Sequence, residues 1–120
     1  METTTTVTTP GPLVFTAADV EAIPEVPLAA QIPGVTHRIL WCDGASMAGV
    51  MRIEAGHRLG THAHRRNHHH IWVLDGEAEI LGVVVGAGGY VHIPAGVDHD
   101  LDARATSGCT VFYLYLSPES

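Results

Sequence analysis

The chain has 120 residues, a formal net charge of −7 with neutral histidines, and no lysine. This length is typical of one domain, which can bury a core without disulfides. The acidic balance disfavours a nucleic-acid partner, because such binding needs many Lys and Arg contacts with phosphates. No apolar run approaches the roughly 20 residues of a membrane span, and the polar start has no features of a secretory signal. We therefore expect a cytoplasmic protein in which Cys42 and Cys109 are free thiols.

The N-terminal third predicts little regular structure. Residues 1–12 have the composition of a disordered polar tail. Residues 13–36 form an extended lead-in, because three prolines in this stretch prevent a long helix. One short helix is expected over residues 16–22, with Thr16 as its N-cap and Asp19 three residues on.

Residues 37–117 have the pattern of a β-domain. Runs of β-branched and aromatic residues alternate with Asp-Gly, Gly-Gly and Pro-Ala-Gly, which predicts antiparallel hairpins. Asp75-Gly76 is the strongest turn signal, and the run CTVFYLYLS at 109–117 predicts a central, well-covered strand. Eight or nine short strands with almost no helix indicate an all-β sandwich or a small antiparallel β-barrel.

Five of the nine histidines fall within nine residues. Strand side chains two apart share a face, so His62 and His64 project together, whereas His69 points away from His68 and His70. Neutral imidazole is a common transition-metal ligand. Buried imidazoles without a metal would leave polar atoms unpaired, at about 1–3 kcal/mol each. The candidates for one metal site are therefore the pair His62 and His64, at most one of His69 and His70, and the later His99.

Two motifs in this region resemble those of the cupin superfamily. Residues 56–64, GHRLGTHAH, fit the first cupin motif, which is a glycine, five residues and His-x-His. Residues 88–99, GGYVHIPAGVDH, fit the second, which is a glycine, five residues, Pro-x-Gly, two residues and a histidine. The resemblance covers residues 35–117. It implies a small antiparallel β-barrel, the double-stranded β-helix or jelly roll of single-domain cupins, with ChrR-like domains among the similar proteins.

The glutamate that usually completes the first cupin motif is missing. The spacings from His64 and to Gly76 both place His69 at that position, whereas His68 satisfies only the first spacing. The resemblance therefore implies a variant site in which one divalent transition metal (Fe, Mn, Ni, Cu or Zn) binds four histidines. These ligands are His62, His64, His69 and His99.

Other polar residues near the motifs receive ordinary roles. We expect His68 and His70 to be solvent or interface side chains. Arg65 and Arg66 either line the mouth of the site, where they would attract an anionic substrate, or form a solvated loop pair. His92 either supports a ligand or is a plain strand residue.

The resemblance implies an oxygen-using enzyme, a dioxygenase that cleaves a carbon–carbon bond in a small enolisable or aromatic substrate. Four protein ligands would leave two adjacent positions open on an octahedral ion. The alternative is a non-catalytic metal- or ligand-binding module of the ChrR anti-sigma type, with a structural or sensing zinc. A metal-dependent isomerase or epimerase is a third option. Family members are frequently dimers and open strand edges favour pairing, so we expect a homodimer in which the N-terminal segment packs on the partner.

Overall fold

The structure, a computed structural model, describes residues 11–64 and 66–117, so Arg65 and most of the predicted tail lie outside the described residues. One helix and eight strands confirm the predicted all-β class. No helix in the described ranges has both the length and the apolar composition of a membrane span. The elements are α1 (Ala17–Ala22), β1 (Val26–Pro27), β2 (Val35–Asp43), β3 (Ser46–Ile53), β4 (His68–Ile80), β5 (Val83–Gly86), β6 (Tyr90–Ile93), β7 (Leu101–Asp102) and β8 (Cys109–Leu116).

All strand pairs are antiparallel, in the order β1-β2-β3-β8-β4-β5, and β6 and β7 also pair with β4. The prediction that the last strand is central is confirmed, because β8 lies between β3 and β4. The described strands do not close into a continuous barrel. Outside the named strands, the described residues form the isolated bridges Arg58↔Asp102 and His62↔His99.

The core lies on the inner faces of β3, β4 and β8, where alternate side chains are buried. This alternation follows from the two-residue period of a strand. Each fully buried large apolar side chain contributes about 1.5–3 kcal/mol. The largest buried core side chains include Met51, Ile53, Ile71, Val73, Val111 and Tyr113.

The Asp75-Gly76 dipeptide is not a hairpin turn, so this prediction was wrong. It lies inside the 13-residue strand β4, next to a bulge where the register with β8 shifts. Gly76 has a φ of 72°, and a Cβ there would collide with the backbone of Gly108. The glycine therefore permits a close backbone approach within the sheet. The real turn follows β4 at Leu81-Gly82, where both residues have positive φ.

The short helix predicted in the lead-in is present as α1. Thr16 Oγ1 accepts the N–H of Asp19 at 3.1 Å, and the Asp19 carboxylate accepts the N–H of Thr16 at 2.9 Å, which completes a capping box. The lead-in then returns to the sheet, where Arg38 Nε donates to the Ile23 carbonyl at 2.8 Å and β1 pairs with β2. The boundaries at residues 12 and 36 stay predictions.

Candidate metal centre

His62, His64 and His99 meet at one end of the β-domain. Their ligand nitrogens all lie within 4.8 Å of one another. The ring centroid of His62 is 5.0 Å from that of His64 and 4.3 Å from that of His99. Residues separated by nearly forty positions thus converge as the two motifs predicted.

Backbone pairing between the motifs causes this convergence. The N–H of His62 donates to the carbonyl of His99 at 2.9 Å, and the N–H of His99 donates back at 2.8 Å. The N–H of Gly96, in the turn of the second motif, donates to the carbonyl of His64 at 2.7 Å. Gly96 has a φ of 85°, a conformation that glycine adopts without strain. The His-x-His segment is not the regular strand that we predicted, since only an isolated bridge holds it.

Two of the rings are oriented by their own backbone. His62 Nδ1 lies 2.7 Å from the carbonyl of Gly60, and His99 Nδ1 lies 3.1 Å from the carbonyl of Val97. A carbonyl only accepts, so each Nδ1 carries the proton. With the proton on Nδ1, the nitrogen left to bind a metal is Nε2, which is the arrangement that orients histidine ligands in metal sites.

His69 lies on the inner face of β4 beside these three rings and is only 1% exposed. Its ring centroid is 5.2 Å from those of both His64 and His99, and its Nδ1 is 3.3 Å from His99 Nε2. It does not belong to the group whose ligand nitrogens all lie within 4.8 Å. The structure therefore brings all four predicted residues together, with three closely grouped and His69 adjacent.

The donor set fits a transition-metal ion. His64 Nε2 and His69 Nε2 are buried and have no hydrogen-bond partner. An unsatisfied buried polar atom is costly, and a metal ion satisfies a nitrogen lone pair without a proton. The arrangement is thus chemically suited to an ion held by imidazole nitrogens.

Burial favours the neutral form of His64, His69 and His99 by lowering the pKa of each. It lowers the pKa of His64 to about 4 and that of His69 to about 2, and the neighbouring rings lower both further. Burial also lowers the pKa of His99, although the Val97 carbonyl opposes this effect. At neutral pH all three rings are in the unprotonated form that metals bind.

A cavity of about 350 Å³ opens beside His62 and His64. Its wall is apolar and includes Leu28 and Ile32, which come from the lead-in before the β-domain. Tyr115 also lines it, with its ring 4.5 Å from that of His64 and 4.3 Å from that of His69. Burial raises the pKa of Tyr115 to about 12, so its phenol stays protonated at neutral pH.

These wall residues were not predicted from the sequence. Parity along β8 would have indicated Tyr115, because it lies two and four residues after Tyr113 and Val111, which are buried on the inner face. No pattern in the lead-in pointed to Leu28 or Ile32.

No carboxylate lines the described part of this cavity. Glu54 and Glu79, on strands β3–β4 and their flanks, are both exposed. Arg66 is also exposed, in the loop between the motif histidines. The polar groups of the cavity wall are therefore imidazoles, the phenol and the hydroxyl of Thr61.

His68, His70 and His92 lie on the opposite, outer face of β4 and β6. Their rings stack, with centroids 5.6 Å apart for His68 and His92 and 4.9 Å apart for His70 and His92. His70 Nδ1 also lies 2.6 Å from the hydroxyl of Tyr90. None of the three reaches the inner histidines, so His92 does not support a ligand there.

Comparisons with known proteins bear on the fold. Among solved structures, an RmlC-like cupin from Shewanella frigidimarina is 22% identical, with a TM-score of 0.71 over 88% of this chain and 92% of that chain. The polyketide cyclase RemF from Streptomyces resistomycificus is 19% identical, with a TM-score of 0.70 over 88% of this chain and 82% of that chain.

A chain of the complex between SigE and the anti-sigma ChrR from Rhodobacter sphaeroides is 23% identical, with a TM-score of 0.65 over 80% of this chain and 50% of that chain. These likenesses establish the cupin jelly-roll fold. A search of curated proteins found no match. The family model of the ChrR cupin-like domain matches residues 15–117. The chain therefore belongs to the ChrR cupin-like domain family.

Proposed function

We propose that the chain binds one divalent transition metal through His62, His64, His69 and His99 and acts as a dioxygenase on a small organic substrate. The proposal rests on the convergence of three histidines whose ligand nitrogens lie within 4.8 Å of one another. The unpartnered Nε2 of His69, 1% exposed and adjacent to them, supplies the fourth ligand.

Four neutral ligands leave the full charge of a divalent ion uncompensated. When bound, a redox-active ion would supply Lewis-acid and one-electron redox chemistry. The carbonyls of Gly60 and Val97 hold the protons of His62 and His99 on Nδ1, so both rings keep Nε2 directed at the centre. This orientation requires no reorganisation when the ion enters.

The cavity wall determines the class of substrate. Leu28, Ile32 and Leu59 exclude water and favour an apolar body, and about 350 Å³ accommodates a small molecule. Tyr115, whose phenol stays protonated because its pKa is about 12, donates a hydrogen bond to a substrate oxygen. An enolisable diketone or a catechol presents both the apolar body and the oxygens that this wall favours.

The proposed reaction is balanced without an external reductant. One carbon–carbon bond of the substrate breaks, and both atoms of dioxygen enter the products. The substrate is the reductant and dioxygen is the oxidant. A cavity carboxylate would not be required, because a bound divalent cation would lower the pKa of an enol or catechol enough for water to accept its proton.

The test combines metal analysis with oxygen uptake. The purified chain is loaded separately with Fe²⁺, Mn²⁺, Ni²⁺, Cu²⁺ and Zn²⁺, and the bound metal is measured by elemental analysis. Oxygen consumption is then followed with a panel of β-diketones and catechols. One redox-active ion per chain together with substrate-dependent oxygen uptake supports the proposal. Stoichiometric binding without uptake for any metal rejects the catalytic part.

A non-catalytic binding module is the second candidate function. The match to the ChrR cupin-like domain over residues 15–117 favours it, and a solved complex containing the anti-sigma ChrR shares the fold. In this case the four histidines hold zinc for structure or sensing. Three results together support the module: zinc binds more tightly than the other metals, zinc binding raises the thermal stability strongly, and no oxygen is consumed.

The proposed partners are a small organic molecule and a second copy of the chain, in the cytoplasm. The exposed apolar residues at the N-terminal end of the described chain favour a homodimer, because Leu13, Val14 and Phe15 are 38%, 86% and 40% exposed. The helix α1 that follows them buries no residue within its own chain. Sedimentation velocity tests the dimer, and a single monomeric species would reject it.

A further inference from the structure

A row of aromatic side chains leads away from the candidate metal centre through the core. The ring centroid of Tyr115 lies 4.3 Å from that of His69 and, on its other side, 5.1 Å from that of Tyr113. The ring of Tyr113 stacks on that of His37 at 6.1 Å. Tyr113 is 1% exposed and His37 is 9% exposed, so the far end of the row is shielded from water. We call Tyr115, Tyr113 and His37 the inner row.

A short hydrogen bond ends the inner row. Tyr113 Oη lies 2.8 Å from His37 Nδ1 and 3.5 Å from Met47 Sδ. The phenol has a single proton, and an imidazole nitrogen is a stronger acceptor than a thioether sulfur, so Tyr113 donates to His37. The ring proton of neutral His37 is then on Nε2. Burial lowers the pKa of His37, which favours the neutral ring that this bond requires.

Gly49 provides the space for this bond. It lies directly opposite Tyr113 where β3 pairs with β8. A Cβ at position 49 would be 2.5 Å from Tyr113 Oη and 2.6 Å from the carbonyl oxygen of Arg38. The phenol therefore crosses the backbone of β3 to reach His37 on β2. A glycine inside a strand is destabilising and often marks such a close approach, so it stands here where the hydrogen bond needs the room.

The inner row has two properties that oxidation of a buried tyrosine requires. A phenol that loses one electron becomes a strong acid, so the electron leaves readily only where a base takes the proton at once. His37 Nδ1, at 2.8 Å, is within the roughly 2.6–3.2 Å at which a base accepts a proton. Electrons cross short gaps between aromatic rings, and the spacings of 5.1 and 4.3 Å connect Tyr113 through Tyr115 to His69. Tyr113 is therefore suited to donate one electron toward the centre.

We infer that the inner row delivers an electron to the candidate metal centre and protects its histidines from reactive oxygen species. Tyr113 loses one electron, which passes through the ring of Tyr115 and reduces the oxidant by one electron. The O–H bond of Tyr113 breaks, and its proton forms an N–H bond at His37 Nδ1. A small thiolate from solution then returns the electron and the proton moves back to the phenol. Two thiyl radicals from two such cycles combine as a disulfide.

The inference has two parts that separate experiments test. The protective role rests on the proposed function, because oxygen activation at the centre is the source of the oxidant. The identity of Tyr113 as the electron donor depends only on the inner row, so it is tested without metal.

The first experiment oxidises the metal-free full chain with photogenerated tris(bipyridine)ruthenium(III). The chain has three tyrosines, so a Tyr90→Phe background leaves the two of the inner row. Electron paramagnetic resonance of samples frozen after the flash should show a tyrosyl radical that Tyr113→Phe abolishes and Tyr115→Phe retains. His37→Asn keeps a hydrogen-bond acceptor but cannot take the proton. We expect it to slow radical formation by about 100-fold, because a positioned proton acceptor typically contributes that factor or more.

The second experiment exposes the Cu²⁺-loaded chain to hydrogen peroxide without an organic substrate. Peptide mass spectrometry measures oxidation of the ligand histidines, and elemental analysis confirms equal copper content among the variants. Oxidation of these histidines should rise severalfold in Tyr113→Phe and in His37→Asn. Tyr90→Phe is the matched control and should leave it unchanged, because the Tyr90 hydroxyl lies 2.6 Å from His70 Nδ1 in an exposed pair on the outer face.

Several results would overturn the inference. A tyrosyl radical that persists in Tyr113→Phe, or that forms equally fast in His37→Asn, would reject Tyr113 as the donor. If circular dichroism shows that Tyr113→Phe folds poorly, His37→Asn decides this point alone. Equal histidine oxidation in the wild type and both variants would show that the path does not reach the centre. A chain that binds no metal would reject the proposed function and the protective role together, and the ruthenium experiment would still decide whether Tyr113 is oxidised.

Discussion

The two faces of β4 carry histidines in opposite surroundings. On the inner face, His69 is 1% exposed, its pKa is lowered to about 2 by burial, and its Nε2 has no partner. On the outer face, His68 and His70 are half-buried and stack with His92. The residue type and the strand are the same, so side-chain direction alone separates a candidate metal ligand from an aromatic surface residue.

Removal of a ligand from the inner set should have the largest effect. His99→Ala deletes a ring whose Nδ1 is held by the Val97 carbonyl and whose Nε2 faces the centre. We expect metal affinity to fall by at least about 100-fold, the upper end of the loss typical even for outer-shell partners. His92→Ala, an outer-face control, should leave affinity unchanged. Competition with a chelator, read by elemental analysis, measures both variants. Equal losses would mean that the inner set is not the metal site.

The neighbouring pair His69 and His68 sharpens the comparison within one strand. His69→Ala should lower metal occupancy strongly, whereas His68→Ala should not. His69→Glu should retain the ion, because it restores the carboxylate of the usual cupin motif. Without metal, the same variant should unfold at a lower temperature, since a buried carboxylate is costly to desolvate. Occupancy and thermal unfolding with and without metal measure this, and an equal response of positions 68 and 69 would mean that the register is wrong.

The pH dependence of stability should also belong to the inner face. Burial lowers the pKa of His69 to about 2 and of His64 to about 4, below the value of an unfolded chain near 6.5. Below that value the unfolded state binds more protons than the folded state, so the free energy of unfolding should decrease as the pH is lowered.

For His69 the slope should approach about 1.4 kcal/mol per pH unit below about pH 6.5. Urea unfolding of the metal-free chain between about pH 7.5 and 5 measures it. His69→Phe should reduce the slope, while His68→Ala should retain it. A pH-independent wild-type stability would contradict the assignment of neutral, buried rings.

Two histidine–tyrosine pairs give the smallest and most closely matched test. Inside the sheet, His37 Nδ1 lies 2.8 Å from the Tyr113 hydroxyl in a buried pair; outside, His70 Nδ1 lies 2.6 Å from the exposed Tyr90 hydroxyl. Tyr113→Phe leaves buried His37 unpaired and should destabilise the chain by about 1–3 kcal/mol. Tyr90→Phe should cost about 0.5 kcal/mol or less, because water replaces the lost bond. Chemical denaturation measures both losses in the free energy of unfolding. Similar losses for the two variants would mean that burial does not determine how much each pair contributes to stability.

Part of the fold and site was accessible from local patterns. The two motifs and the two-residue period placed His69 inside and His68 outside, because side-chain direction on a strand is a local property. The same reasoning failed at Asp75-Gly76. A hairpin turn and a bulge next to a close backbone approach both favour glycine with positive φ, so the dipeptide alone cannot distinguish them.

The wall of the cavity was not accessible in this way. Leu28 and Ile32 reach it because the lead-in folds back on the β-domain, where the Leu28 N–H donates to the Val35 carbonyl at 3.0 Å. Such contacts join segments with no shared periodicity. Parity places Tyr115 on the inner face of β8, but the distance of 4.5 Å between its ring centroid and that of His64 is what locates it at the site.

The sequence by itself indicated the all-β class and the central position of the last strand, because these depend on residue type, spacing and alternation. The resemblance to the cupin motifs supplied the four candidate ligands. Only the tertiary structure decided how the histidines are grouped, which nitrogens face one another, which face of the sheet remains uncovered and where the cavity lies. Those properties arise from hydrogen bonds and contacts between distant segments, such as the mutual pairing of His62 and His99. Their geometry is fixed by the packing of the whole domain and not by any local stretch.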